Sequence, residues 1–217
     1  MRVAKENYGV GILGCGTLGR LIAEGVKSGL AGGYRVKGTF DEFSPDKAKL
    51  LAEDMGASFC TTLDQLLLLQ CDYIVEAANI KALKAVAAKC LTGGSNLVAL
   101  STGAFADERF FEDLSRVART QLKNVHIPSG ALGGFDLARA AAAAGELSVT
   151  MTTEKPPRAL SGAPALTGRE LSATRRELVF HGTGREAVTG FPQNVNVVAS
   201  LGLATVGLDN IVMEIYS

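Results

Sequence analysis

The motif Gly14-Cys15-Gly16-Thr17-Leu18-Gly19 follows an apolar run, Tyr8–Leu13, and opens into a segment of helical period, Leu18–Leu30. A second apolar run, Tyr34–Phe40, then ends at an acid, Asp41. Glycine is common in this chain, so the spacing alone says little; the strand-turn-helix-strand-acid order gives it meaning. Gly14 makes a tight turn, Gly16 lets a pyrophosphate approach the backbone, and Gly19 lets the helix pack close to the sheet. Thr17 and Leu18 open the helix, whose free N–H groups and partial positive charge favour phosphate. Gly14, Gly16, Thr17, Leu18, Gly19 and Asp41 are therefore candidate dinucleotide-binding residues. Asp41 would accept hydrogen bonds from the adenosine ribose, or else serve only as a strand-end turn residue. Asp41 and Glu42 would repel a 2′-phosphate, which favours NAD over NADP. Arg35 and Lys37 on the same strand keep NADP as an alternative. Cys15 reads as a small tolerated residue, with no base beside it to make it a nucleophile.

The alternation continues. Tyr73–Ala77, Asn96–Leu100 and Asn124–Ile127 read as strands, and Ala48–Met55, Ile80–Leu91 and Asp107–Gln121 as helices. Strand-helix alternation predicts right-handed βαβ units and a doubly wound parallel α/β sheet, covered on both faces and so apolar throughout. Residues 1–125 form this dinucleotide-binding domain. Residues 126–217 form a smaller α/β domain: a glycine-rich turn, Ser129–Gly134, a helix Phe135–Ala144, a strand Leu147–Thr153, a helix Asn194–Thr205 and a strand Asn210–Tyr216. Glu154–Gly168 reads as loop, because Pro156 and Pro157 oppose regular structure. An Asn opening the helix after Pro192 reads as its N-cap.

Composition removes several classes of function. Lys plus Arg and Asp plus Glu are 22 each, so the formal charge is zero, and neither a basic surplus nor a basic run offers a nucleic-acid footprint. With no Trp and 6% aromatics, stacking platforms are poor candidates. The four cysteines form no CxxC pair, which argues against structural zinc and for a reduced, cytoplasmic protein; no metal is expected. The apolar run after Arg2 and Lys5 is broken by glycines before any convincing cleavage site, and Val195–Leu208 is too short and interrupted to span a bilayer.

The turn Ser129–Gly134 can present backbone N–H groups to a nicotinamide or a substrate carboxylate, or can simply start a helix. Combined with the glycine motif, the segments Ile127–Asp136, Thr152–Pro157, His181–Ala187 and Phe191–Val198 resemble the L-aspartate dehydrogenase family, in family order from about residue 8 onward. The resemblance implies a Rossmann domain followed by an α/β domain with an open sheet, usually as a homodimer. It implies reversible, NAD(P)-linked oxidation of L-aspartate to iminosuccinate, which hydrolyses to oxaloacetate and ammonia or feeds NAD biosynthesis. By motif position, Ala131 and Asn196 look like nicotinamide-cofactor contacts. Lys155, Arg185 and the helix start Gly133–Asp136 are candidates to hold the two substrate carboxylates, with Asn194 a further substrate-side candidate.

The resemblance also implies a segment beyond the strand at Asn210–Tyr216 that carries the catalytic histidine and a final helix. The expected proton acceptor therefore lies past Ser217, and the second domain is expected to continue there. His126 and His181 occupy other motif positions and read as structural or surface imidazoles. Two alternatives stay open on sequence: a protein that holds NAD without turnover, and a dehydrogenase of a different amino acid on the same scaffold.

Overall fold

The computed structural model describes residues 7–192 and 195–217. The chain divides into two compact units, Met1–Pro128 and Ser129–Ser217.

The first unit is built on β1 (Tyr8–Leu13), α1 (Thr17–Lys27), β2 (Tyr34–Phe40), α2 (Pro45–Met55), β3 (Ser58–Phe59) and α3 (Leu63–Leu68). It continues with β4 (Tyr73–Glu76), α4 (Ile80–Thr92), β5 (Asn96–Ala99), a 3₁₀ turn Thr102–Ala106, α5 (Glu108–Gln121) and β6 (Val125–His126). The strands form one sheet in the order β3-β2-β1-β4-β5-β6, with every pairing parallel. That order is the doubly wound Rossmann arrangement.

Both faces of the sheet carry core. Val10, Ile12 and Val75 pack with Ala23, Ala48 and Leu51 of α1 and α2. Leu13, Ile74 and Leu97 pack with Leu66, Leu83, Leu91 and Leu114 of α3, α4 and α5. Burial from two sides explains why these strands are continuously apolar. Helices α4 and α5 start where side chains satisfy their first amides: Asn79 accepts from Ala82 N–H (2.9 Å), and Asp107 accepts from Phe110 N–H (3.2 Å). The short β3 and α3 were not anticipated from sequence, although Thr62 caps α3 through the Gln65 N–H (3.2 Å).

The second unit holds α6 (Phe135–Ala144), β7 (Val149–Glu154), α7 (Pro157–Leu160), a 3₁₀ turn Pro164–Leu166, β8 (Leu178–Thr183), α8 (Gly184–Gly190), α9 (Asn196–Ala204), a 3₁₀ turn Leu208–Asn210 and β9 (Ile211–Tyr216). Its open sheet runs β7-β9-β8, with β7 parallel and β8 antiparallel to β9. Ile211, Met213 and Ile215 of β9 are buried, as are Leu160, Phe191, Val198 and Leu208. Phe180 meets Phe191 edge-on at 5.4 Å.

Two details correct the sequence reading. The stretch 154–168 is not all loop, because Pro157 sits in the first turn of α7, where a missing N–H costs nothing. The strand β8 and helix α8 were unforeseen, and α8 opens on a capping box between Thr183 and Glu186. The helix expected over Asn194–Thr205 is α9, Asn196–Ala204, with Val195 at its N-cap position and no side-chain cap, while Asn194, the expected cap, lies outside the described residues. Among the described residues, no helix is long and apolar enough to cross a membrane.

Candidate functional site

In the first unit, β1 lies between β2 and β4, so the chain leaves it in one direction and returns on the other side. The crevice at the carboxyl ends of strands at such a switch point is where nucleotides bind in open α/β sheets. The glycine loop stands there, and its three glycines differ in what surrounds them. Gly14 has φ +89°, and a Cβ there would sit 2.7 Å from the Ala77 carbonyl carbon and the Ala78 nitrogen. A Cβ on Gly19 would strike the Gly14 carbonyl oxygen. A Cβ on Gly16 would meet nothing within 4 Å. Two glycines are thus required by packing, while the middle one borders open space.

Gly16 is also the N-cap of α1. It supplies no side-chain cap, and the first turn carries no acid. The amides opening α1 therefore have neither an intrahelical partner nor an acid in the helix's own first turn. Thr17 and Leu18 are exposed, while Gly19 is buried. A pyrophosphate suits this loop: the backbone is approachable at Gly16, and the residues that open α1 beside it are exposed.

Asp41 is half-buried at the end of β2, and three backbone amides donate to its carboxylate. Cys15 N–H donates to Oδ2 (2.8 Å); Phe43 N–H (3.0 Å) and Ser44 N–H (2.8 Å) donate to Oδ1. Asp41 thereby ties the glycine loop to the β2–α2 turn. The Cys15 thiol is buried, and burial together with the Asp41 charge pushes its pKa up to about 12, so it is no nucleophile at neutral pH. Lys37 is held by the carbonyls of Leu69 and Gln70. Arg35 lies six residues before Asp41 along the strand, roughly 20 Å away. Neither cation serves a phosphate beside Asp41.

Sequence reasoning passed over Glu76, the last residue of β4, which is fully buried beside this loop. Its signal was an acid closing an apolar strand, the same pattern that drew attention to Asp41.

In the second unit, Gly130 (φ +68°) and Gly134 (φ +67°) shape the turn before α6. A Cβ on Gly130 would touch Val197 at 3.5 Å, so this turn lies against the opening of α9. The structure thereby brings together the segments carrying Ala131 and Asn196, both exposed. Lys155 follows β7, donates its N–H to the Tyr216 carbonyl (2.9 Å), and lines an open hollow of about 540 Å³ with Arg175 and Arg176. Arg176 is paired with Glu154 (2.9 Å) and stacked 3.6 Å over the Tyr216 ring.

Arg185 is paired within its own unit. Its guanidinium donates to both carboxylate oxygens of Asp209, at 2.6 and 2.8 Å, which uses the fork a substrate carboxylate would need. Asn194 lies outside the described residues. His126, the last residue of β6, rests against the ring of Tyr73 (5.8 Å), the first residue of β4. His181 is exposed on β8. Among the described residues, no group of three metal-binding side chains is found.

Comparisons with known proteins agree with this geometry. Residues 14–128 match the family described as homoserine dehydrogenase, NAD binding domain, and residues 136–217 match aspartate dehydrogenase, C-terminal. An L-aspartate dehydrogenase of Methanococcus maripaludis is 36% identical over 197 residues, covering 90% of this chain and 73% of that protein. The L-aspartate dehydrogenase of Methanocaldococcus jannaschii is 35% identical, with the same coverage. The crystal structure of aspartate dehydrogenase from Thermotoga maritima superimposes with a TM-score of 0.69 at 28% identity, over 97% of this chain and 78% of that one. With its parallel sheet, glycine loop and mixed second sheet, the chain belongs to the L-aspartate dehydrogenase family.

Proposed function

We propose that this protein oxidises L-aspartate to iminosuccinate with NAD, the imine then hydrolysing to oxaloacetate and ammonia. The observation that carries the reading is the open face at Gly16 above the uncapped terminus of α1, in a chain 36% identical to an L-aspartate dehydrogenase. NAD, when bound, supplies the hydride acceptor.

The chain's own residues then bind and orient. The amides of Gly16, Thr17 and Leu18 hold the pyrophosphate. Asp41 keeps the loop in place through Cys15 and offers its remaining lone pair to a ribose hydroxyl. Ala131 and Asn196 serve the nicotinamide side. Lys155 and the N–H groups opening α6 receive the substrate carboxylates, and the Arg185 pairing leaves that task to them. The substrate ammonium must lose its proton before hydride departs, because only the free amine has the lone pair that forms C=N.

The same reading places the protein in the cytoplasm, where its four free, buried thiols stay reduced. A homodimer suits the open second sheet, whose β7 edge has no strand partner among the described residues. Iminosuccinate is the product that would link the enzyme to NAD biosynthesis. The balanced charge favours a small-molecule substrate over nucleic acid. The test is NADH formation, followed by absorbance, with L-aspartate at alkaline pH, where the free amine is populated. D-Aspartate and L-glutamate serve as controls. NADH formation with L-aspartate alone is expected; turnover of L-glutamate in preference would overturn the substrate assignment.

A further inference from the structure

Glu76 has no exposed surface, yet it closes a strand whose other residues are Tyr73, Ile74 and Val75. Burying a carboxylate is costly unless donors converge on it, and here three do. Oε1 accepts the Ala78 N–H (2.9 Å) and the Ser101 hydroxyl (2.7 Å), and Oε2 accepts the Ser101 N–H (3.1 Å). Burial pushes the Glu76 carboxyl above its ordinary pKa, while these same donors pull it back. One side chain therefore ties the β4–α4 turn to the turn that follows β5.

The first of these turns is in contact with the glycine loop. The Ala77 N–H donates to the Leu13 carbonyl (2.8 Å), and Ala77 and Ala78 fill the space beside Gly14 that a Cβ would need. Asp41 makes the matching arrangement on the other side, joining the glycine loop to the β2–α2 turn. Two strand-end acids thus brace the loop, one over β2 and one over β4. A doubly wound sheet binds a dinucleotide across its two mononucleotide halves. With the adenosine ribose at the end of β2, the other half falls over the ends of β4 and β5.

We infer that Glu76 is the positioning residue for the nicotinamide half of the bound dinucleotide, acting through the Ala77–Ala78 and Ser101 turns that it holds together. The inference rests on the reading of the glycine loop as an NAD site. It assigns Glu76 no contact with the cofactor and no proton transfer. Its task is to fix two backbone turns that the nicotinamide ribose and ring must pass.

The test compares NADH with ADP-ribose, which retains the adenosine half and pyrophosphate but lacks nicotinamide. In Glu76→Gln, either amide orientation sets an N–H against a backbone N–H, that of Ala78 or that of Ser101. The dissociation constant for NADH is expected to rise about tenfold, with ADP-ribose changed less than about twofold. Ser101→Ala removes only the hydroxyl bond and is expected to raise the NADH constant about threefold, again sparing ADP-ribose. Titration calorimetry on the full chain reads both ligands. Equal weakening of both, or an unchanged NADH constant, overturns the inference. If Glu76→Gln fails to fold, Ser101→Ala decides by the same ratio. Wild-type protein that binds neither ligand overturns the NAD reading itself, and the role of Glu76 with it. Wild-type binding with unchanged ratios in both variants overturns the role of Glu76 alone.

Discussion

The Asp41 carboxylate, at the end of β2, accepts the backbone N–H of Cys15, inside the glycine loop, at 2.8 Å. This bond spans 26 residues and fixes the loop from outside its own helix. Asp41→Asn should set an amide N–H against either Cys15 N–H or the amides of Phe43 and Ser44. The expected stability loss is about 1 kcal/mol, the low end for an unsatisfied donor, because Asp41 is only half-buried. NADH affinity should fall about tenfold, since the loop would lose its brace along with the ribose acceptor. Denaturant titration and NADH fluorescence measure the two effects; unchanged NADH affinity would remove Asp41 from the site.

Cofactor preference follows from the same carboxylate. A 2′-phosphate would enter beside Asp41 and Glu42, with Lys37 already bound to the carbonyls of Leu69 and Gln70. Like charges about 4 Å apart cost ~1 kcal/mol in water and several-fold more where partly buried. NADH should therefore bind at least about tenfold more tightly than NADPH. Paired dissociation constants test this, and Asp41→Ser combined with Glu42→Arg should narrow the gap.

How legible these features were in sequence depended on whether the determining contacts were local. Strands β1, β4 and β5 announced themselves because burial on both faces leaves them almost wholly apolar, whereas β2 carries Arg35 and Lys37 in its less buried first half and was marked by Tyr34, Val36 and Phe40. Strand β8 did not: Leu178 and His181 are exposed, Phe180 is half-buried, and Gly182 interrupts the pattern. Its neighbour α8 did carry a local signal, since Thr183 and Glu186 have the spacing of a capping box. Gly14, Gly16 and Gly19 were readable as a motif, yet only the fold distinguishes the two that are jammed from the one that faces open space. Arg185 shows the limit most plainly. Its side chain promised a carboxylate clamp, and nothing near it in sequence reveals that Asp209, 24 residues on, occupies it.

The Arg185–Asp209 pair makes its own prediction about acid. Arg185 holds the Asp209 carboxyl below the usual carboxylate range. A depressed folded-state pKa stabilises the fold above the unfolded value, about 3.9, and the benefit disappears as pH falls through the folded value. Arg185→Lys loses the two-pronged geometry. The variant should melt slightly below wild type at neutral pH. The gap should shrink with added salt, because the pair is exposed, and close in strong acid. Its KM for aspartate should match wild type; a large rise in KM would return Arg185 to the substrate site.

The glycine loop offers the sharpest separation of binding from stability. Gly16 borders open space, so Gly16→Val should leave the melting temperature close to that of wild type. The valine side chain would nonetheless stand where the pyrophosphate approaches, and NADH binding should weaken by at least about a hundredfold, roughly 3 kcal/mol. Gly19→Ala reverses the pattern. Its methyl group would strike the Gly14 carbonyl oxygen, which is backbone and cannot swing away, so α1 must shift from the sheet. Overpacking of this kind costs about 1–3 kcal/mol. The alanine variant should therefore melt earlier and bind NADH more weakly in consequence, whereas the valine variant should lose NADH while keeping its fold. Thermal melts alongside NADH titrations of both proteins test the contrast. A Gly16→Val variant that still binds NADH with wild-type affinity would show that the dinucleotide does not cross this loop.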